Sequence, residues 1–246
     1  MTSQPVRERE PLAFFKSLIA LLLISLCIWA AQWQFQRGID RHHRNSLIES
    51  QLTLPSLDIS KLPSAKADEL SKFEWRTVTA TGRFNSAEQI LLKNRYFEGV
   101  YGYEVLTRFN LQDGRYIWID RGWVKAGEDA KTAPITTPVP SGEVSILARV
   151  RLDRSLPVGA FFALPSSGAG MISKLNAQTG FKSEGFYLDL ISGSEKSLTP
   201  AVPAQLPELS DGPHLAYSLQ WIFFAGLITY GRILIRRGQI LTRKEL

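Results

Sequence analysis

Two charge-free apolar runs frame the chain, Ser17–Phe35 near one end and Leu215–Gly231 near the other. A helix needs about 20 residues to cross roughly 30 Å of hydrocarbon, and both runs predict transmembrane helices. The first contains five Leu, three Ile and a Phe, with Gln32 and Gln34 near one interface. The second reaches spanning length if Arg232 snorkels, since Ile233, Leu234 and Ile235 then extend it.

Between the runs the pattern changes period. Glu74–Phe84, Gln89–Arg95, Tyr103–Leu111, Arg115–Val124 and Glu143–Leu152 are rich in Val, Ile, Thr and aromatics, and many of their apolar residues alternate, which predicts strands. Asp113-Gly114 predicts a hairpin with a type I′ turn. Lys125–Gly142, with three prolines, reads as an exposed excursion. Ala169–Thr179 places Met171, Ile172 and Leu175 at helical spacing, with Gly180 as the stop. Pro55–Pro63 and Ser197–Pro213 read as Pro-rich, semi-rigid tethers. The predicted architecture is two transmembrane α-helices bracketing a mainly-β domain, a barrel or sandwich with minor helical decoration. Its parts are an N-terminal tail (1–16), a first span (17–35), a β-rich domain (38–213), a second span (214–235) and a basic tail (236–246).

Charge refines this picture. The formal net charge is +6, yet residues 38–213 hold 20 Lys+Arg and 20 Asp+Glu, so the whole excess lies beside the spans. That is the pattern of the positive-inside rule, and no nucleic-acid footprint is needed to explain it. Arg232, Arg236, Arg237, Arg243 and Lys244 follow the second apolar run. Both termini are therefore expected in the cytoplasm, with the β domain exported to the periplasm. Trp29, Trp33, Tyr217 and Trp221 fit an interfacial aromatic belt. The first run lacks a small-residue cleavage pattern and is expected to be retained. Without a long Arg- and Ser-rich presequence, a bacterial inner membrane is the expected location. Cys27, inside the first run, is the single cysteine, so the β domain has neither disulfide nor Cys-based metal site. A copper chaperone is disfavoured by the same count and by only two Met.

Several short motifs carry a family resemblance. Trp33-Gln34 with Arg37 lies at the outer end of the first run, followed by Gly82-Arg83-Phe84, Asn94-Arg95, Gly99–Tyr103, Asp113-Gly114 and Arg121-Gly122-Trp123-Val124. Pro213-His214-Leu215, Tyr217 and Gln220-Trp221 open the second run. In order and spacing these resemble the Surfeit-locus family of cytochrome oxidase assembly factors, most closely over both runs and Glu74–Val124. The resemblance implies a non-catalytic membrane factor that helps to mature the haem a centre of cytochrome c oxidase subunit I, alongside other assembly factors. It also implies haem a as a ligand, with the histidine opening the second run as the iron contact.

His214 admits two readings from its residues alone. Pro213 suits a first helical position, which puts His214 in the first turn of the second span, with Tyr217 and Trp221 at i+3 and i+7 on the same face. That is either an interfacial histidine among belt aromatics or an imidazole over an aromatic wall, suited to haem iron. Trp33, Gln34 and Arg37 share one rim of the first helix, where they could reach a partner or a haem propionate, or serve as belt and headgroup contacts. His42 and His43 diverge on a helix and are expected to be solvated flank residues. Arg121-Gly122-Trp123 reads either as a bulge re-aiming Arg121 or as a packed Trp beside a structural Gly. Gly168-Ala169-Gly170 is too short for a phosphate loop, and GxSxG and Walker patterns are missing. Asp120, Glu184 and Asp189 show no paired spacing for acid–base work, so no enzyme activity is expected. Two functional classes stay open: the assembly factor, and a bitopic sensor or scaffold whose β domain binds a protein or peptide without cofactor.

Overall fold

The computed structural model describes residues 10–63, 67–128, 132–152 and 170–241. In chain order it comprises helix α1 (Ala13–Thr53), strand β1 (Leu57–Asp58), a 3₁₀ turn (Ile59–Lys61), a one-turn helix α2 (Ala67–Leu70), strands β2 (Thr77–Phe97), β3 (Val100–Leu111), β4 (Tyr116–Lys125) and β5 (Val144–Leu152), helix α3 (Met171–Thr179), strand β6 (Phe186–Gly193) and helix α4 (His214–Leu241). The chain divides into two compact units, Met1–Ser46 with Glu208–Leu246, and Leu47–Pro207.

In the first unit, α1 and α4 are both long and apolar enough to cross a membrane. A shielded stripe on α1 runs through Ala20, Ile24, Cys27, Ala31, Gln34, Gly38, Arg41 and Asn45, with Ala30 also buried beside it, and one on α4 through His214, Ser218, Trp221, Ala225, Ile228 and Arg232. Both stripes step by alternating threes and fours, the spacing of two helices packed along a seam. The seam of α1 is rich in small residues, which lets backbones approach: Ser218 Oγ donates to the Ala31 carbonyl at 2.9 Å. At the other end of the seam Arg232 donates to both carboxylate oxygens of Glu10, at 3.1 and 3.0 Å, and to Ser17 Oγ. Leu21, Leu22, Leu26 and Ile28 on α1, and Ile222, Phe223 and Leu227 on α4, point away from the seam.

The second unit is a five-stranded barrel. The order β2-β3-β4-β6-β5 closes through a β2–β5 pairing, β4 and β6 run parallel, and β1 adds in parallel beside Val78 and Thr79. The structure thus decides for the barrel over the sandwich. A single bent strand, β2, makes closure possible: Thr77–Gly82 pair with β5 and Gly82–Phe97 with β3. Gly82 is the corner, since a β-carbon there would stand 2.1 Å from the Asn110 carbonyl oxygen. The two separate strands expected at Glu74–Phe84 and Gln89–Arg95 are therefore one strand, kinked by an irregularity between Asn85 and Gln89. Val78, Ala80, Phe109, Ile117, Ile119, Ile146, Ala148, Val150, Phe186, Leu188 and Leu190 form the core. Leu106, Trp118 and Tyr187, on the opposite strand face, pack under Met171, Ile172 and Leu175 of α3. That helix ends as expected on Gly180, at φ 74°.

Three further expectations need correction. The type I′ turn sits at Glu98-Gly99, where both residues have positive φ (49° and 78°), not at Asp113-Gly114. Gly114 alone is left-handed in the second hairpin; its N–H meets the Leu111 carbonyl at 3.0 Å, the geometry of a three-residue loop with a bulge. Neither Pro-rich stretch is a free tether. Ile59 and Leu62 are buried in the barrel core, with Asp58 capping the 3₁₀ turn through Ser60 N–H at 2.8 Å. Leu198 is also buried there, and the Val202 carbonyl accepts from Trp123 N–H at 2.8 Å. Prolines kept these stretches out of helices, while the apolar residues between them supply the seal. Strand β6 was not expected at all: its first five residues are all buried, so it lacks the alternation by which strands are found. Gly168-Ala169 lies outside the described residues.

Candidate functional site

The polar end of the helix seam gathers the residues with the most chemistry. His214 is the first residue of α4, and Tyr217 N–H bonds to the Pro213 carbonyl at 3.0 Å, closing the first turn. Its Nδ1 lies 2.9 Å from Gln34 Oε1 on α1. An amide oxygen only accepts, so Nδ1 is the donor in this contact, and in the neutral ring Nε2 is then the unprotonated nitrogen. Gly38 lets α1 come close: a β-carbon there would meet Leu215 Cδ2 at 3.3 Å and His214 Cβ at 3.4 Å.

The chain enters α4 through a second set of contacts with α1. Asp211 accepts from Asn45 Nδ2 at 3.0 Å and lies 2.8 Å from His42 Nδ1, while Arg41 Nε donates to the Ser210 carbonyl. These contacts hold the Asp211 carboxyl below its ordinary range, with the His42 hydrogen bond the largest cause. His42, expected to be merely solvated, is thus an exposed clasp residue. Gly212 follows at φ 67°, and the space beside it is bordered by Arg41 Nη1 and His214 Nε2, 3.7 and 3.8 Å from where a β-carbon would stand.

Of the other expected site residues, Trp33 and Arg37 come together, the guanidinium 5.2 Å from the ring centroid, both on exposed surface next to Gln34. Tyr217 is exposed, whereas Trp221 is half-shielded in the seam with its ring edge-on to Phe224 at 5.8 Å. Gln34 as the histidine's partner, and Arg41, Asn45 and Asp211 around it, escape a reading by element. The signal that could have found them is the three-four stripe continuing past the apolar run through Gln34, Gly38, Arg41 and Asn45.

The barrel carries a separate polar cluster. Asp120 and Asp189, far apart in sequence, are direct partners across β4 and β6, and both are almost fully buried. Arg151 Nη1 donates to Asp189 Oδ2 at 2.6 Å, Arg149 approaches the same oxygen at 3.9 Å, and the Arg151 guanidinium stacks 3.9 Å from the Trp75 ring centroid. Asp120 Oδ1 accepts from Gly122 N–H at 2.8 Å. Burial first, then the carboxylates of Glu104 and Asp189, push the Asp120 carboxyl well above its ordinary range. At Arg121-Gly122, two residues oppose Val105 and Gly122 has φ 91°, so both sequence readings hold: a bulge aims Arg121 at Gln89 Oε1 (3.1 Å), and Trp123 packs against Phe97 while donating to the Arg95 carbonyl. The linear spacing of the carboxylates concealed this pair, because register brings them together.

A closed five-stranded barrel joined to a pair of helices of bilayer length defines the class of protein. The chain belongs to the SURF1 family, whose profile matches residues 21–226. It is 29% identical over 238 residues to uncharacterised SURF1-like proteins of Mycobacterium bovis and Mycobacterium tuberculosis, covering 91% of this chain and 85% of theirs. It is 28% identical over 131 residues to the cytochrome oxidase assembly protein SHY1 of Saccharomyces cerevisiae, covering 52% of this chain and 32% of that one.

Proposed function

We propose that the protein is a membrane-anchored assembly factor for cytochrome c oxidase that assists haem a insertion into subunit I, or its maturation, by holding haem through His214. Family membership and the role named for the yeast relative support the oxidase. The length of α1 and α4 and their outward Leu, Ile and Phe side chains support insertion in a bilayer. Arg236 and Arg237 beyond the second apolar run support cytoplasmic termini and an exported barrel, and the mycobacterial relatives support a bacterial plasma membrane. The reading is of a binding protein, not an enzyme.

The observation that carries the haem is the His214–Gln34 contact. In the neutral ring it leaves Nε2 as the donor nitrogen, 3.8 Å from where a β-carbon on Gly212 would stand. Among the described residues no three His, Cys, Asp or Glu side chains gather to hold a bare metal ion. A lone imidazole suits a metal whose equatorial positions are already filled by a macrocycle, so these residues fit haem. His214 would ligate the iron. Tyr217 and Trp221 would offer ring faces, and Arg41, or Trp33-paired Arg37, a guanidinium for the macrocycle's acidic arms. The bound haem would supply an iron centre able to take a histidine nitrogen; the chain's own residues would bind it, orient it and limit water around it.

The test is to purify the full chain in detergent from cells making haem a and record its absorption spectrum. A Soret band is expected that His214→Ala removes or shifts while the protein stays membrane-inserted. Tyr217→Ala and Trp221→Ala should weaken retention less, by about 1 kcal/mol each. An unchanged spectrum in His214→Ala returns the residue to the interfacial class, and a parent that carries no haem leaves the cofactor-free scaffold as the better account.

A further inference from the structure

We propose that Gln34 is the positioning residue of this site: its amide oxygen fixes His214 in the Nδ1–H tautomer and aims Nε2 at a haem iron. The inference rests on the haem reading above and adds the device that prepares the ligand. A neutral histidine on one helix has two tautomers and a freely turning ring, and only the form with an unprotonated Nε2 can donate from that nitrogen. Gln34 Oε1, 2.9 Å from Nδ1 and on the other helix, removes both freedoms at once. Metal-bound histidines commonly donate their second ring N–H to an oxygen acceptor in this way, which orients the ring and raises its basicity.

The rest of the seam holds the acceptor in place. Gln34 sits between Ala31 and Gly38 in the α1 stripe, so no bulky side chain separates its amide from the first turn of α4. One turn further along α4, Ser218 Oγ is bonded to the Ala31 carbonyl, which fixes axial register between the helices on the inner side of the pair. On the other side, Asp211 is held by Asn45 and His42. The hydrogen bond to His214 is therefore bracketed by two interhelical contacts. Trp33 and Arg37, by contrast, engage each other, so of the Trp-Gln-x-x-Arg group Gln34 is the member that acts on the histidine.

The first measurement needs no haem. The chain has three histidines, so long-range proton–nitrogen correlation spectra of the nitrogen-15-labelled full chain in detergent can be assigned with His214→Ala as reference. His214 is expected as the Nδ1–H tautomer in the parent and as a tautomer mixture in Gln34→Leu. The second measurement is haem retention and midpoint potential in protein purified from haem a-producing cells. Gln34→Leu should weaken haem binding about 10- to 100-fold. Gln34→Glu, which keeps an acceptor and makes it anionic, should retain haem and lower its potential. An Nε2–H tautomer in the parent, or Gln34→Leu matching the parent in both tautomer and retention, overturns the role given to Gln34. Loss of retention in His214→Ala with none in Gln34→Leu overturns it too and spares the haem reading. A parent without haem, or a spectrum indifferent to His214→Ala, overturns the haem reading itself.

Discussion

Asp120 shows how much a single residue can store in this fold. Its carboxyl is buried beside the carboxylates of Glu104 and Asp189, which disfavour its ionised form, while Gly122 N–H supplies one hydrogen bond. Its folded pKa is raised above the unfolded value near 3.8, so the native state binds the extra proton. That contribution is complete below the unfolded pKa and is lost as pH rises through the folded one. Asp120→Asn keeps the acceptor for Gly122 and replaces the O–H with an N–H, so thermal unfolding of the purified protein should lose part of its decline toward alkaline pH. At pH 8 the variant should unfold at a higher temperature than the parent; an unchanged pH slope would show that Asp120 is ionised in the fold. Gly122 should behave oppositely. Its φ of 91° and the Val202 carbonyl oxygen, 2.3 Å from a would-be β-carbon, leave no room for Ala, and Gly122→Ala should cost at least about 2 kcal/mol in chemical denaturation. Gly122 was legible in the sequence as a bulge or a packing glycine, because glycine has few other reasons to precede a strand Trp. The Asp120–Asp189 pair was not, since strand register is invisible in linear spacing.

At the scale of elements, period decided what could be read. Strands with one face buried in the barrel and the other less covered, such as Glu143–Leu152, alternate and were found, whereas β6 is covered on both faces by core and α3 and carries no period-two signal. Proline stretches misled for a related reason: φ restriction marks what is not helix, but Ile59, Leu62 and Leu198 decide whether such a segment seals a core. The long helices were legible from hydropathy, though the first continues to Thr53, past the apolar run, on residues whose heptad-like stripe is polar. The small residues of that stripe make a prediction. Cys27 is buried in the seam and is the chain's single cysteine, so its labelling reports on helix packing. Ala31→Leu, one turn away and opposite Ser218, should wedge the helices apart and raise the rate of labelling by a membrane-permeant maleimide several-fold. Equal rates in parent and variant would mean that α1 and α4 do not share this seam.

At the scale of the whole molecule, two apolar runs and a domain of balanced charge between them are the basis of the proposed topology, and the family is the basis of the proposed role. Alkaline phosphatase fused at Lys125 should be active and fused after Leu246 inactive, because the basic residues lie with the termini; the reverse pattern would place the barrel in the cytoplasm. Membership of the SURF1 family was legible from short motifs in order, even though each alone is weak, and the proposed haem site was legible in Tyr217, Trp221, the Trp33-Gln34-Arg37 rim and, above all, His214. Its partner on the other helix needed the fold. The central claim is that this chain serves cytochrome c oxidase assembly. Its most direct test is the haem a absorbance of membranes from the source organism with the gene deleted, measured against the parent strain and a strain carrying the full chain in trans. The account predicts a lowered but detectable haem a signal on deletion, restored by the full chain. Haem a absorbance equal in deleted and parent membranes would contradict it.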